Sequence, residues 1–168
     1  MTDANPQELG LLAKLVLILA VLLLAAGVFW HGATWVDLQR IWTNLINRPS
    51  EPMAFRFILQ PAMALIAAIH DGVKDARTGR SPYFWTLLRN PQKRVARLRE
   101  GLNATARIIL LAVGMDVIYQ ITVFNTFYPG EALLIGLQLA FVPYLLMRGP
   151  VARIARRRFR DLPAGQTQ

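Results

Sequence analysis

Cysteine is absent from the 168 residues, histidine occurs only twice, and ten acidic residues face nineteen Lys and Arg. The first absence excludes a disulfide scaffold, thiolate metal sites, CxxC redox chemistry and a Cys nucleophile. Charged residues are 17% of the chain and apolar ones 54%, a balance less charged and more apolar than that of an average soluble domain. It also excludes a disordered tail or a collagen-like fibre. The formal charge of +9 could point to nucleic acid, yet the basic residues cluster beside apolar blocks, where anionic headgroups and topology selection account for them. The composition predicts an all-α helical bundle integral to a membrane, a single membrane domain over residues 1–168, with no nucleic-acid partner.

Residues 11–30 carry one charge, Lys14, and at ~1.5 Å rise per residue such a helix crosses a hydrocarbon core. Asp3 and Glu8 precede it where a signal peptide would be basic, so a retained span is expected. Lys14 lies near one end and can snorkel to the interface. Trp35, Leu38, Ile41, Trp42, Leu45 and Ile46 then recur at helical spacing and predict an amphipathic interfacial helix, ended by Pro49 and Pro52. Residues 103–127 and 131–147 read as two further spans, joined by a turn at Tyr128, Pro129 and Gly130.

The stretch 53–76 is harder to place, because Arg56, Gln60 and Pro61 dilute its apolar run. Ala64, Ala68, Gly72 and Ala76 recur every fourth residue there, a small-residue stripe of the kind that lets membrane helices approach closely. It predicts a second, polar-faced membrane segment, with a re-entrant or surface-lying helix as the competitor. Residues 71–100 carry eight basic residues against three acidic ones, and the chain after Met147 carries six arginines against Asp161. Both regions, 77–102 and 148–168, are therefore expected in the cytoplasm together with the C-terminus. Four spans would put the N-terminus inside, and three would put it outside.

Within the basic regions, Ser81-Pro82 and Asn90-Pro91 are helix-start signals, and Pro150 is expected to open a tail helix. Short amphipathic helices are expected to follow, with Tyr83, Phe84 and Trp85 at headgroup depth. Arg94, Arg97, Arg99, Arg153, Arg156, Arg157 and Arg158 are the candidate contacts to anionic lipid.

Asp116 is the deepest acid in any expected span, and a carboxylate there needs pairing, protonation or water. Gln120 lies one turn away and Tyr119 beside it. Counted from the expected outer ends, Gln60, Gln120 and Gln138 fall at one depth and predict a polar layer, into which Arg56 can reach toward Asp116. Interhelical glue is the structural reading of this cluster, and a proton or ion relay is the functional one.

His70 to Arg77, HDGVKDAR, resembles the start of the CDP-alcohol phosphotransferase signature, DGxxAR followed by GxxxDxxxD. An extra residue separates Gly72 from Ala76 and Arg77, and neither later aspartate follows Gly79. The carboxylates needed to hold divalent metals are therefore missing, which leaves a metal-dependent lipid-headgroup enzyme as the remotest reading. No HExxH, P-loop, Rossmann fingerprint or Ser-His-acid set occurs. His31 and His70 follow successive spans, so they cannot share a haem iron. Neither a metal nor another cofactor is expected, and Asn103-Ala104-Thr105 reads as a helix cap or chance sequon.

The stretches QPAMALIAAIHDGVKDARTGRSPYF, DVIYQITVFNTFYPGEALL and FVPYLLMRGPVARIAR resemble a group of small uncharacterised bacterial inner-membrane proteins, over residues 55–158. The resemblance implies that location and brings no catalytic residue. The expected function is non-enzymatic: a small subunit or scaffold that packs against itself or a larger membrane partner and binds anionic lipid. A proton- or ion-coupled transport element using Asp116 is the alternative.

Overall fold

The computed structural model describes residues 8–31, 39, 41–43, 53–80 and 83–160, and among them every regular element is helical. These are α1 (Leu11–His31), α2 (Arg56–Arg77), α3 (Tyr83–Arg89), α4 (Pro91–Tyr119) with a π-helical turn at Gln120–Phe124, and α5 (Pro129–Arg160). Three stretches are long and apolar enough to cross a membrane: Leu11–Trp30, Pro91–Phe124 and Pro129–Phe159. α2 is not among them, since Arg56, Gln60, His70, Asp71, Lys74 and Asp75 interrupt its apolar residues. Of the amphipathic helix expected around Trp35–Ile46, only Gln39 and Ile41–Thr43 fall within the described residues, and these are helical.

Two boundaries differ from those expected. The basic segment before Asn103 does not form a separate amphipathic helix. α4 begins at Pro91, where the Asn90 side chain accepts a hydrogen bond from the Lys93 amide at 3.3 Å, and runs for 29 residues. Nothing between Leu98 and Thr105 breaks the helical pattern, because Gly101 is buried against Tyr83 and tolerated there. Nor does Pro150 open a new helix. α5 runs unbroken for 32 residues through Pro143 and Pro150. Buried Arg148, Gly149 and Ala152 hold the chain on either side of Pro150, so packing outweighs the backbone bond that proline forgoes. At the other end, α4 widens into the π-helical turn and stops at Asn125, which adopts the left-handed conformation (φ 50°). Pro129 and Gly130 therefore belong to the first turn of α5 and not to the connection.

α4 and α5 form an antiparallel hairpin, with Gly136 of α5 against Val113 of α4. α2 packs along α5 more extensively than any other pair of helices. The two run in the same direction, because Arg56 lies by Asp116 near the hairpin connection while Gly72 lies by Arg148 and Val151. The small-residue stripe makes this contact. Ala64 and Ala68 are fully buried, and a Cβ on Gly72 would come within 2.8 Å of Val151 Cγ1 and 3.0 Å of the Arg148 carbonyl. The stripe is thus covered by this chain's own α5.

α1 packs on α5 and α4 through a narrow seam that includes Ala13, Val16 and Leu23. Its start is tied to α4, where Asn103 Oδ1 accepts from the Gly10 amide at 2.9 Å and Asn103 Nδ2 donates to the Glu8 carbonyl at 3.2 Å. Asn103 therefore caps a neighbouring helix. At the far end, a Cβ on Gly27 would sit 3.0 Å from the Gly130 amide nitrogen. α1 consequently runs alongside α4 and opposite to α5, from the basic end of the bundle toward the hairpin end.

Gly72→Leu should lower the thermal midpoint in detergent strongly, by a loss of about 1–3 kcal/mol from overpacking. Gly114→Ala, on an exposed face with no atom in the way, should hold or raise it. A Gly72→Leu protein of unchanged stability would remove the stripe from the α2–α5 contact.

Candidate functional site

Two buried polar clusters lie at opposite ends of the bundle, and α2 contributes to both. At the hairpin end, Arg56 at the first position of α2 pairs with Asp116 of α4, Nη1 to Oδ1, at 2.9 Å. The two side chains are 1% and 0% exposed. The Arg56 guanidinium also stacks over Tyr119, 4.5 Å from the ring centroid, and Tyr119 meets Phe124 edge-on. Charge pairing and a π-face together replace much of the hydration that a guanidinium loses on burial.

Gln120 ties this pair to the connection. Its Nε2 donates to Asp116 Oδ2 at 2.6 Å, while its Oε1 accepts from the Tyr128 amide at 2.6 Å. Gln120 opens the π-helical turn. One residue thereby fixes the carboxylate and closes the hairpin. Gln60, one turn after Arg56, is buried as well. Of the expected layer, Arg56, Gln60, Asp116, Tyr119 and Gln120 come to this end of the bundle. Gln138 does not: it is exposed, because α5 turns Ile135 and Leu139 inward and leaves Gln138 off that face.

The cluster at the basic end is larger and is centred on Arg148. Arg148 is buried, and its guanidinium donates from Nε to Asp75 Oδ2 at 2.8 Å, from Nη2 to Glu100 Oε1 at 2.6 Å and from Nη1 to the Tyr144 hydroxyl at 2.6 Å. The Tyr144 hydroxyl in turn donates to Asp71 Oδ2 at 2.6 Å. Arg97 Nη1 bridges Asp75 at 3.3 Å and Glu100 at 3.1 Å, and Arg80 Nη1 reaches Glu100 at 3.3 Å. Tyr83 lies under the Arg148 guanidinium, 4.4 Å from the ring centroid, and donates to the Arg97 carbonyl at 2.6 Å. Asp71, Asp75 and Glu100 thus meet Arg80, Arg97 and Arg148, and α2, α3, α4 and α5 are cross-linked without net charge.

Burial pushes the Tyr83 hydroxyl up from 10.0 to about 12, with Arg148 opposing and Glu100 reinforcing the shift. Tyr83 is therefore buried where headgroup depth was expected, while its neighbours Phe84 and Trp85 are exposed, with Arg89 stacked 3.9 Å over Trp85. Asp71 and Asp75 are engaged by Tyr144 and the arginines, and among the described residues no group of three potential metal ligands is assembled.

The lipid-facing candidates divide in the same way. Arg97 is drawn into the ionic cluster, Arg156 donates to the Arg80 carbonyl and Arg94 to the Leu87 carbonyl at 2.8 Å. Arg99, Arg153, Arg157 and Arg158 remain exposed, joined by Lys74 and by Arg77, which stacks on Phe159. Nothing in the spacing of Asp75, Glu100 and Arg148 announced their convergence. The one sequence signal was that Asp71, Asp75 and Glu100 stand among the eight basic residues between 71 and 100.

No family model matches the chain, and comparison with curated proteins and with solved structures gave no match.

Arg148→Met should be the most damaging single change at the basic end. It removes the shortest ion pairs of the cluster and leaves three acids to Arg80 and Arg97 alone, so about 3–5 kcal/mol should be lost, read as a collapse of the thermal midpoint; a fall no larger than that of Arg157→Met would contradict the cluster. Because the Tyr83 hydroxyl titrates higher folded than unfolded, its contribution is complete below pH 10 and is lost as pH rises toward 12. Tyr83→Phe should cost about 1 kcal/mol near neutrality for the lost hydrogen bond and flatten the decline across that alkaline window. A variant that declines as steeply as the parent would place the titration elsewhere.

Proposed function

We propose that the protein is a four-segment integral protein of the bacterial inner membrane, with its basic end in the cytoplasm, and that its role is non-enzymatic. It serves as a compact small subunit or scaffold that holds anionic lipid at its cytoplasmic face. The observation that carries this reading is the internal neutralisation of Asp71, Asp75 and Glu100 by Arg80, Arg97 and Arg148. It leaves Lys74, Arg77, Arg99, Arg153, Arg157 and Arg158 exposed at the same end. Cations so placed beside apolar spans are attracted to an anionic leaflet, at about 1 kcal/mol each near the surface.

Support for the fourth segment comes from α2. Its 22 residues give a length of roughly 33 Å, close to a hydrocarbon core. It runs beside α5 from the level of Asp116 to that of Arg148, and its ionic groups meet partners at both ends. With α1 running in the direction of α4, the start of α1 and the end of α5 fall on one side. Since α5 covers the small-residue stripe, association with a second copy or a larger partner would use other faces, such as the exposed apolar side of α1.

Transport centred on Asp116 is the competing reading. The Arg56–Asp116–Gln120 arrangement favours glue, because the acid already holds a cation and an amide donor. Asp116→Asn separates the two: glue predicts lost stability and no proton or cation flux from the parent protein in proteoliposomes, whereas a parental flux that the substitution abolishes would establish transport.

Topology and lipid binding are tested on the full chain, whose lack of cysteine makes single probes unambiguous. Thr78→Cys and Ile154→Cys should be shielded from an impermeant maleimide in intact cells, while Ala54→Cys and Thr126→Cys should react. An Ala54 probe on the same side as Thr78 would reduce the count to three. In nanodiscs, anionic lipid should raise the thermal midpoint over zwitterionic lipid, and replacing Arg153, Arg157 and Arg158 by Gln should remove most of that gain. Equal midpoints in both lipids would refute the lipid role.

A further inference from the structure

α4 buries one continuous seam, in which Thr105, Ile109 and Ala112 lie against the rest of the bundle. Their spacing alternates between four and three residues, and the same alternation continues backward through Leu102, Leu98 and Val95. Such a period is what a helix presents to a second helix lying along it. Burial stops before the seam does. Leu102 is half-buried, but Leu98 is 38% exposed and Val95 55% exposed. α3 engages α4 by other positions there, through the Arg97 carbonyl and the Arg94 side chain.

The headgroup layer reaches no further than Leu98, five residues or about 7.5 Å before Asn103, and leaves the outer part of the seam at Val95 outside the lipid. Asn103 marks the level at which the apolar α1 begins, and Val95 lies eight residues before it, about 12 Å further along the helix. That distance exceeds the roughly 5–8 Å of a headgroup layer. α4 is one unbroken helix from Pro91 to Tyr119, so its beginning cannot fold flat onto the leaflet while the remainder crosses. The surroundings are basic. Arg94 and Arg99 flank the seam, and among the described residues of this end the only acid outside the ionic cluster is Glu8. A second copy would bring the same positive charge against it.

We infer that the Val95–Leu98 face of α4 is a docking surface for an acidic amphipathic helix of a partner protein, which extends the seam into the aqueous phase. The inference rests on the membrane-embedded reading of α4 and gives the scaffold role a partner of defined chemistry. Two apolar anchors with a basic rim suit a helix that repeats apolar residues every three and four positions and carries Glu or Asp beside them. The rim steers the encounter and selects against basic partners.

The full chain in zwitterionic nanodiscs is titrated with a fluorescent three-heptad peptide bearing Leu at the seam positions and Glu beside them. A scrambled peptide of identical composition and a Lys-for-Glu version serve as comparisons. Saturable binding of the Glu peptide alone is expected, weakened roughly tenfold or more in Val95→Ser/Leu98→Ser, while Ile154→Ser leaves it unchanged. Equal binding of the scrambled peptide, or none of the Glu peptide, overturns the proposal. So does quenching of a probe on Val95→Cys by bilayer nitroxides, which would make lipid the occupant, or disulfide-linked dimers of Val95→Cys, which would make it a second copy. Absence of Glu-peptide binding by the parent protein with the maleimide pattern intact rejects this surface alone, whereas resistance of the protein to membrane insertion rejects the underlying reading.

Discussion

The bundle depends on pairing the charges of α2. This helix carries a guanidinium at its first position and two carboxylates in its last turns, and it is too polar to belong beside three apolar helices unless each of those groups is met. Arg56 is met by Asp116, Asp75 by Arg148 and Arg97, and Asp71 by Tyr144. Between the anchors, Ala64, Ala68 and Gly72 bring the backbone of α2 against α5. Small residues supply the close approach and the ionic ends supply the register. Neither suffices alone, since dispersion over a smooth stripe permits sliding by a turn and an ion pair without packing leaves desolvated charge.

The same arithmetic explains why the two ends of the molecule differ. At the hairpin end, polar groups are few and turned inward, with Gln120 shared between a carboxylate and the backbone of the connection. At the basic end, three acids and three arginines cancel, and the arginines left over define the surface. A count of charge along the chain gives the sign of that surface but misassigns its members, because Arg97 and Arg156 are consumed internally.

Much of the architecture was legible in the sequence where periodicity and length act locally. α1, the hairpin of long apolar helices, the Asn90 cap and the small-residue stripe follow from spacing, and the reach of Arg56 toward Asp116 follows from depth counted from the expected outer ends. Helix ends at Asn103 and Pro150 were misread for a common reason: amphipathic and proline signals describe a helix alone, whereas burial of Arg148, Gly149 and Ala152 carries α5 past Pro150. The cluster around Arg148 was not legible, since Asp71, Asp75, Glu100 and Arg148 are brought together only by the parallel packing of α2 on α5. Gln138 failed for a related reason, as depth along a helix says nothing about azimuth.

The central claim is that the Arg56–Asp116 pair holds α2 in the bundle. A double-mutant cycle of Arg56→Met and Asp116→Leu, read as unfolding free energy in bicelles, tests it directly. Each single change should cost about 3–5 kcal/mol by stranding the other charge, and the double change should cost less than either. Additive losses would show that the two side chains do not depend on each other and would contradict the account.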